Sequence, residues 1–110
     1  KVFVVQMGRK IDPETGEAVD KFDLTPAKRW GELVPVVSPA AKPFDADKLI
    51  EKMYYVLDGF NDNDYILPVG NVSIISMTVA VASQLNSGKV KLLQWDAKSH
   101  THVPVICHFP

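Results

Sequence analysis

With 110 residues, 46% of them apolar and 23% charged, the chain is long enough to close a single core without metal or disulfide staples. A net charge of -1 excludes a chain-wide electrostatic pull toward nucleic acid or anionic membrane. The single Cys107 excludes an intrachain disulfide and fits a reducing cytosol, and no stretch reaches the roughly 18 apolar residues of a membrane span.

Val2–Met7 is a continuous apolar, β-branched run, the pattern of a strand covered on both faces. It is too short for the apolar region of a signal peptide, and Arg9 and Lys10 follow it directly. Residues Ile11 to Asp20 are polar and centred on Pro13-Glu14-Thr15-Gly16, which predicts an exposed hairpin or loop excursion. Thr25 as N-cap and Pro26 at the first helical position open a short helix, with Trp30 packed inward and Gly31 ending it. Glu32–Val37 is the second strand, and Pro35 assigns it to a sheet edge. Ser38–Pro43 is a loop.

The clearest helix starts at Asp45 as N-cap, with Phe44 stapled onto Leu49. Leu49, Ile50, Met53, Val56, Leu57 and Phe60 share a stripe at helical spacing, and Lys48, Glu51, Lys52 and Tyr55 lie opposite. Tyr65–Val69 is the third strand. In Val72–Leu85 the β-branched residues favour a strand, whereas the length, Ala80, Ala82 and Gln84 favour a buried helix. The helix is preferred, with Asn86-Ser87-Gly88 as its stop. Lys89–Trp95 and His102–Phe109 are the last two strands, joined by a turn over residues 96–101.

Strands alternating with helices predict a single Rossmann-like, three-layer α/β domain with a mostly parallel five-stranded sheet. The expected order is 2-1-3-4-5, with an antiparallel last strand after the short turn. That order places Pro35 and Pro104 on the two edges, where a missing N–H is tolerated. Pro68 must then lie where the third strand is already leaving the ladder.

Two stretches carry a resemblance. Asp23-Leu24-Thr25-Pro26-Ala27-Lys28-Arg29-Trp30-Gly31-Glu32-Leu33-Val34 is one. The other runs from Asp64-Tyr65-Ile66-Leu67 through Gly70 and the small-residue helix to Gly88-Lys89-Val90-Lys91-Leu92-Leu93. Together they resemble small, mostly uncharacterised α/β proteins that recur in tailed-bacteriophage genomes. The resemblance spans about two thirds of the chain and leaves Ile11–Asp20 outside. It implies a phage-encoded protein of the host cytoplasm and brings no catalytic residues with it.

In open α/β sheets, ligands bind beyond the carboxyl ends of the strands where the strand order reverses. Here that point lies between strands one and three. It places Gly8, Arg9 and Lys10 near Gly70, Asn71, Val72 and Ser73, a candidate cradle for a phosphate or carboxylate. The plainer reading of the same residues is a tight turn capped by Asn71, with Arg9 and Lys10 as solvated strand-end charges.

His100, His102 and His108 with Cys107 suggest a metal, but Cys107 and His108 alternate across their strand. Exposed edge-strand histidines are the expectation, with no metal. Asp12, Asp20, Asp23, Asp62 and Asp64 fall in turns, where Asp serves backbone hydrogen bonds. There is no Gly-x-Ser-x-Gly elbow and no cofactor fingerprint. The small residues Ser73, Ser76, Ala80 and Ser83 allow close helix packing, within the chain or against a second copy.

The expected function is a non-enzymatic phage accessory protein that binds a host protein or a small anionic ligand. The alternatives are a nucleotide- or phosphate-handling domain using Arg9, Lys10, Asn71 and Ser73, and a self-assembling structural protein. A homodimer would form through helices, because prolines blunt both sheet edges.

Overall fold

The computed structural model describes residues 1–110. Its elements, in chain order, are β1 (Val2–Val4), β2 (Arg9–Ile11), β3 (Ala18–Asp20), a 3-10 helix (Thr25–Trp30) and β4 (Leu33–Pro35). They continue with α1 (Ala46–Val56), β5 (Tyr65–Leu67), α2 (Val72–Leu85), β6 (Lys89–Asp96) and β7 (Thr101–His108). The molecule is an α/β protein with a mostly parallel five-stranded sheet of order β4-β1-β5-β6-β7. Strands β2 and β3 form a separate antiparallel ribbon. Without that ribbon, the main-sheet strands stand in the order second, first, third, fourth, fifth along the chain.

Val2, Phe3 and Val4 of β1 pair in parallel with Leu33–Pro35 on one side and Tyr65–Leu67 on the other. Beyond Val4 the pairing continues through single bonds, from the Val5 amide to the Leu67 carbonyl and from Gln6 to Val69. β6 and β7 pair antiparallel along eight residues, from Lys89↔His108 to Asp96↔Thr101. Pro35 and Pro104 both lie on edge strands, and Pro68 falls just past the end of β5.

The direction of each crossover sets the face it covers. The step from β1 to β4 runs one way across the sheet, and the steps to β5 and β6 run the other. With crossovers of one hand, the first connection must lie on the face opposite the other two. The cores agree. Twelve buried residues, including Phe3, Val5, Met53, Leu57, Ile66 and Ile74, fill the face under α1 and α2. Six others, Val2, Val4, Leu24, Ala27, Leu67 and Leu93, fill the face under the 3-10 helix.

Val72–Leu85 is helical, as burial of Ile74, Thr78, Val81 and Ala82 along one stripe requires. The buried Thr78 hydroxyl donates to the Ile74 carbonyl at 2.9 Å, so it costs no unpaired group. Three local expectations are corrected. Phe44 is 93% exposed and does not staple onto Leu49. The Asp45 side chain accepts no capping bond at the start of α1, which is held instead by its packed stripe. Thr25 does not cap the segment after it either. Asp23 accepts the Thr25 amide at 2.9 Å, and the following turns are 3-10 rather than α.

Met53 is fully buried between α1 and the sheet, whereas Tyr55, two residues on, is exposed. Met53→Ala is expected to cost about 2–5 kcal/mol in urea unfolding, and Tyr55→Ala to stay within about 0.5 kcal/mol.

Candidate functional site

The sheet's carboxyl end contains two regions, one on each face. The first is the β5–α2 turn. Asn71 is the N-cap of α2, its side chain accepting the Ile74 amide at 3.2 Å. The Asn71 amide in turn donates to Oε1 of Gln6 at 3.0 Å. Nε2 of Gln6 donates to the carbonyls of Ser38 (3.1 Å) and Ala41 (3.0 Å), in the loop after β4. Gln6 is only 6% exposed, so one buried amide joins the end of β1, the β4–α1 loop and the start of α2.

Gly70 belongs to this junction. Its φ is +110°, and an added Cβ would lie 2.5 Å from Gln6 Cβ and 2.7 Å from the Gln6 carbonyl oxygen. No L side chain fits that backbone in that space. The amides of Val72 and Ser73 have no partner within the chain, as first-turn amides commonly do not.

The cations expected beside this turn are engaged in the ribbon. Arg9 Nε lies 3.3 Å from Asp20 Oδ1, with both side chains about half exposed. Lys10 pairs with Val19 in the β2–β3 ladder and is exposed. Gly8 is tied to the other end of the ribbon, where its carbonyl accepts the Lys21 amide at 2.7 Å. What the structure brings against Gly70 and Asn71 is Gln6, a residue the sequence hid inside an apolar strand run.

The second region lies on the 3-10 face. There Phe22, Asp23 and Leu24 span the sheet's carboxyl end and separate two hollows. One, of about 530 Å³, is flanked by Val4, Met7, Leu33 and Lys28. The other, of about 320 Å³, is walled by Leu67, Val69, Leu93, Trp95 and His102.

His102 was expected on an exposed edge, yet it is 5% exposed, because its partner Trp95 stacks on it edge-on at 5.1 Å. Its Nδ1 is buried and has no hydrogen-bond partner. Burial holds its pKa below the ordinary imidazole value. His100 sits in the turn with φ +51°, and Cys107 occupies the opposite sheet face beside Val90.

The acidic residues serve their turns. Asp12 accepts the Glu14 amide at 2.8 Å, Asp23 the Thr25 amide, and Asp64 the Asn61 amide at 3.0 Å. Asp62 accepts from Asn86 Nδ2 at 2.9 Å. The hydrogen bonds from Thr25 and Asn86 hold Asp23 and Asp62 below the usual carboxylate range.

Over residues 1–109 the chain matches the model of the Phage Pam3 gp32-like protein family. It belongs to that family. Comparison with curated proteins and with solved structures found no match. Membership of this phage family makes the chain a phage protein. The family description names no reaction or ligand.

Gln6→Leu keeps the bulk of the side chain but removes both its donor and its acceptor. The expected loss is about 1–3 kcal/mol for each buried group left unpaired, with faster hydrogen exchange at the Asn71 amide. A variant as stable as the parent would refute this role for Gln6.

His102 also makes stability depend on pH. Its folded pKa is depressed, so as pH falls the unfolded chain protonates there first. Its contribution is complete above the ordinary value of 6.5 and declines as pH drops below it. Asp23 and Asp62 act in a lower window, beneath 3.8. Urea midpoints between about pH 5 and 7 are expected to fall on the acid side in the parent and stay flat in His102→Phe.

Proposed function

We propose that this chain is a non-enzymatic phage accessory protein that recognises a host protein through the crevice at the sheet's carboxyl end. The observation that carries the reading is the Phe22–Leu24 segment laid between two hollows, with Phe22 half exposed and lining both. An exposed aromatic beside apolar recesses is the surface chemistry of protein recognition, where buried aromatic anchors dominate binding energy. The position also follows the rule for open α/β sheets, and a Rossmann-like three-layer description of the fold belongs with this reading. The cytoplasm of the host is the proposed compartment.

A second reading, a small anionic ligand at Gly70–Ser73, is favoured by the two unpartnered amides of Val72 and Ser73 at the start of a 14-residue helix. Arg9 and Lys10 would have to leave the ribbon ladder to reach such a ligand, and Gln6 already fills the Asn71 amide. A nucleotide-handling domain carries the same requirement. Self-assembly finds support in the outer face of α2, which has no ionisable residue between Val72 and Leu85 and leaves Val72, Ser76 and Ala80 exposed.

Affinity capture from host lysate tests the leading reading with the parent chain and Phe22→Glu, a half-exposed position, after circular dichroism has shown that the variant folds. The expected result is a host protein retained by the parent and lost in the variant. Identical captures from both would reject the crevice. For the second reading, phosphate or nucleotides should raise the melting temperature; no rise with any of them would reject it.

A further inference from the structure

β7 is the longer of the two edge strands, eight residues against three in β4, and one of its sides pairs with nothing in the chain. The Phe109 amide donates to the Gly88 carbonyl at 2.7 Å, just past the Lys89↔His108 pair. In an antiparallel ladder, residues that exchange bonds alternate with residues whose backbone groups face away. Counting back from Phe109, the odd-numbered residues bond to β6, and His102, Pro104, Ile106 and His108 turn their backbone groups outward. Pro104 fits this phase, because proline has no N–H to give β6. His102 is buried, so the accessible outward amides are those of Ile106 and His108.

An unpaired edge is a template for another strand, and proteins ordinarily guard it with charge, proline or a covering element. Pro104 removes a single amide here, which narrows the edge without closing it. No Lys, Arg, Asp or Glu lies between Thr101 and Pro110. Instead Ile106 is 64% exposed, Val103 and Val105 are each 43% exposed, and Phe109 is 45% exposed. By alternation Val103, Val105 and Phe109 lie on the face with Cys107 and Ile106 on the other, so apolar side chains are bare on both faces. A strand without charges can lie against its own copy with no like-charge repulsion.

We propose that β7 pairs antiparallel with β7 of a second copy about a two-fold axis at Ile106, joining the two five-stranded sheets into one. In this register Ile106 exchanges both backbone bonds with the partner's Ile106, and the His108 amide meets the carbonyl of the partner's Pro104. Every accessible outward amide is then used. The amide that Pro104 lacks falls opposite a His108 carbonyl, and His108 is exposed to water. The side chains match in the same register. Val105 lies opposite the partner's Cys107, and Val103 opposite the partner's Phe109, so each bare apolar residue gains an apolar neighbour. An axis at Val105 would require the buried His102 to pair, and one at Cys107 would take Val103 out of register with Phe109. The pairing spans seven positions of each copy, a small interface, so a concentration-dependent dimer is expected. None of Val103–Phe109 lines the crevice hollows, so this dimer goes beyond host-protein recognition and stands or falls independently of it.

Sedimentation velocity across a concentration series reaching the millimolar range should show the parent moving from the 12.2 kDa chain to twice that mass. Ile106→Pro removes only an amide that faces away from β6, so circular dichroism should be unchanged while dimer affinity falls at least ten-fold. Disulfide trapping reads the register. In a non-hydrogen-bonded antiparallel pair the Cα atoms are about 4.5 Å apart, within the roughly 4.4–6.8 Å that a disulfide spans. Oxidised Val105→Cys should therefore cross-link to the partner's Cys107, whereas Val103→Cys, facing Phe109, should not cross-link. A parent that stays monomeric throughout would overturn the proposal. So would undiminished affinity in a folded Ile106→Pro, or cross-linking of Val103→Cys in preference to Val105→Cys. The parent and the two cysteine variants decide the matter if Ile106→Pro does not fold.

Discussion

The arrangement at the sheet's carboxyl end depends on a single buried amide. Gln6 sits where β1 separates from β5, and five polar groups converge on it: the Asn71 amide, the carbonyls of Ser38, Pro39 and Ala41, and the Val69 carbonyl that accepts its backbone N–H. Each belongs to a segment that would otherwise have to satisfy its backbone in a nearly dry place, where an unpaired group is costly. Gly70 follows from the same constraint, since only a residue without Cβ allows the turn to approach Gln6 this closely. In many α/β folds the switch point is left for a ligand. Here a side chain of the protein occupies part of it and fixes the start of α2.

Closing that face leaves the opposite one as the more open. The two faces are covered by elements of unequal size. α1 and α2 supply 11 and 14 residues over the larger core. The other face has a 3-10 helix of six residues, which at about 2.0 Å per residue is only about 12 Å long. β7, with eight residues, extends about 27 Å. A cover so much shorter than the sheet must leave part of it bare. The Phe22–Leu24 segment bridges the remainder without filling it, and the hollows on either side are the result. The ribbon does not help, because β2 is exposed throughout and β3 nearly so.

Much of this architecture was legible in the sequence because it depends on patterns that local physics enforces. The apolar stripe of α1, the prolines on edge strands and the Asn71 cap each follow from one residue type having few places to go. Phage-family membership was legible too, from Asp23–Val34 and the Asp64–Leu93 region. The site was less so. Gln6 reads as one polar residue ending a strand, and nothing near it in sequence announces partners 32 to 65 residues away. Arg9 looks like a free strand-end cation until the ribbon supplies Asp20 across the ladder. Contacts made by side chains across long loops leave no periodic trace.

His102 shows why burial on an edge strand is hard to read from composition. The alternation of β7 puts His102, Pro104, Ile106 and His108 on one face. Of these only His102 is buried: the antiparallel register sets it opposite Trp95, edge-on at 5.1 Å, at the end of β7 that the 3-10 helix reaches through the Arg29–Thr101 hydrogen bond. The same register places Leu93 beside Pro104, so an apolar wall of the smaller hollow and the unpaired imidazole arrive together at one end of the hairpin. Sequences generally obey every level of local and global consistency, and the places that break it are where function is found. In this chain the breaks are two buried ring nitrogens without a partner, Trp30 Nε1 and His102 Nδ1, the latter in a side chain that lines an apolar hollow. That imidazole is retained where phenylalanine would pack without leaving any polar group unpaired.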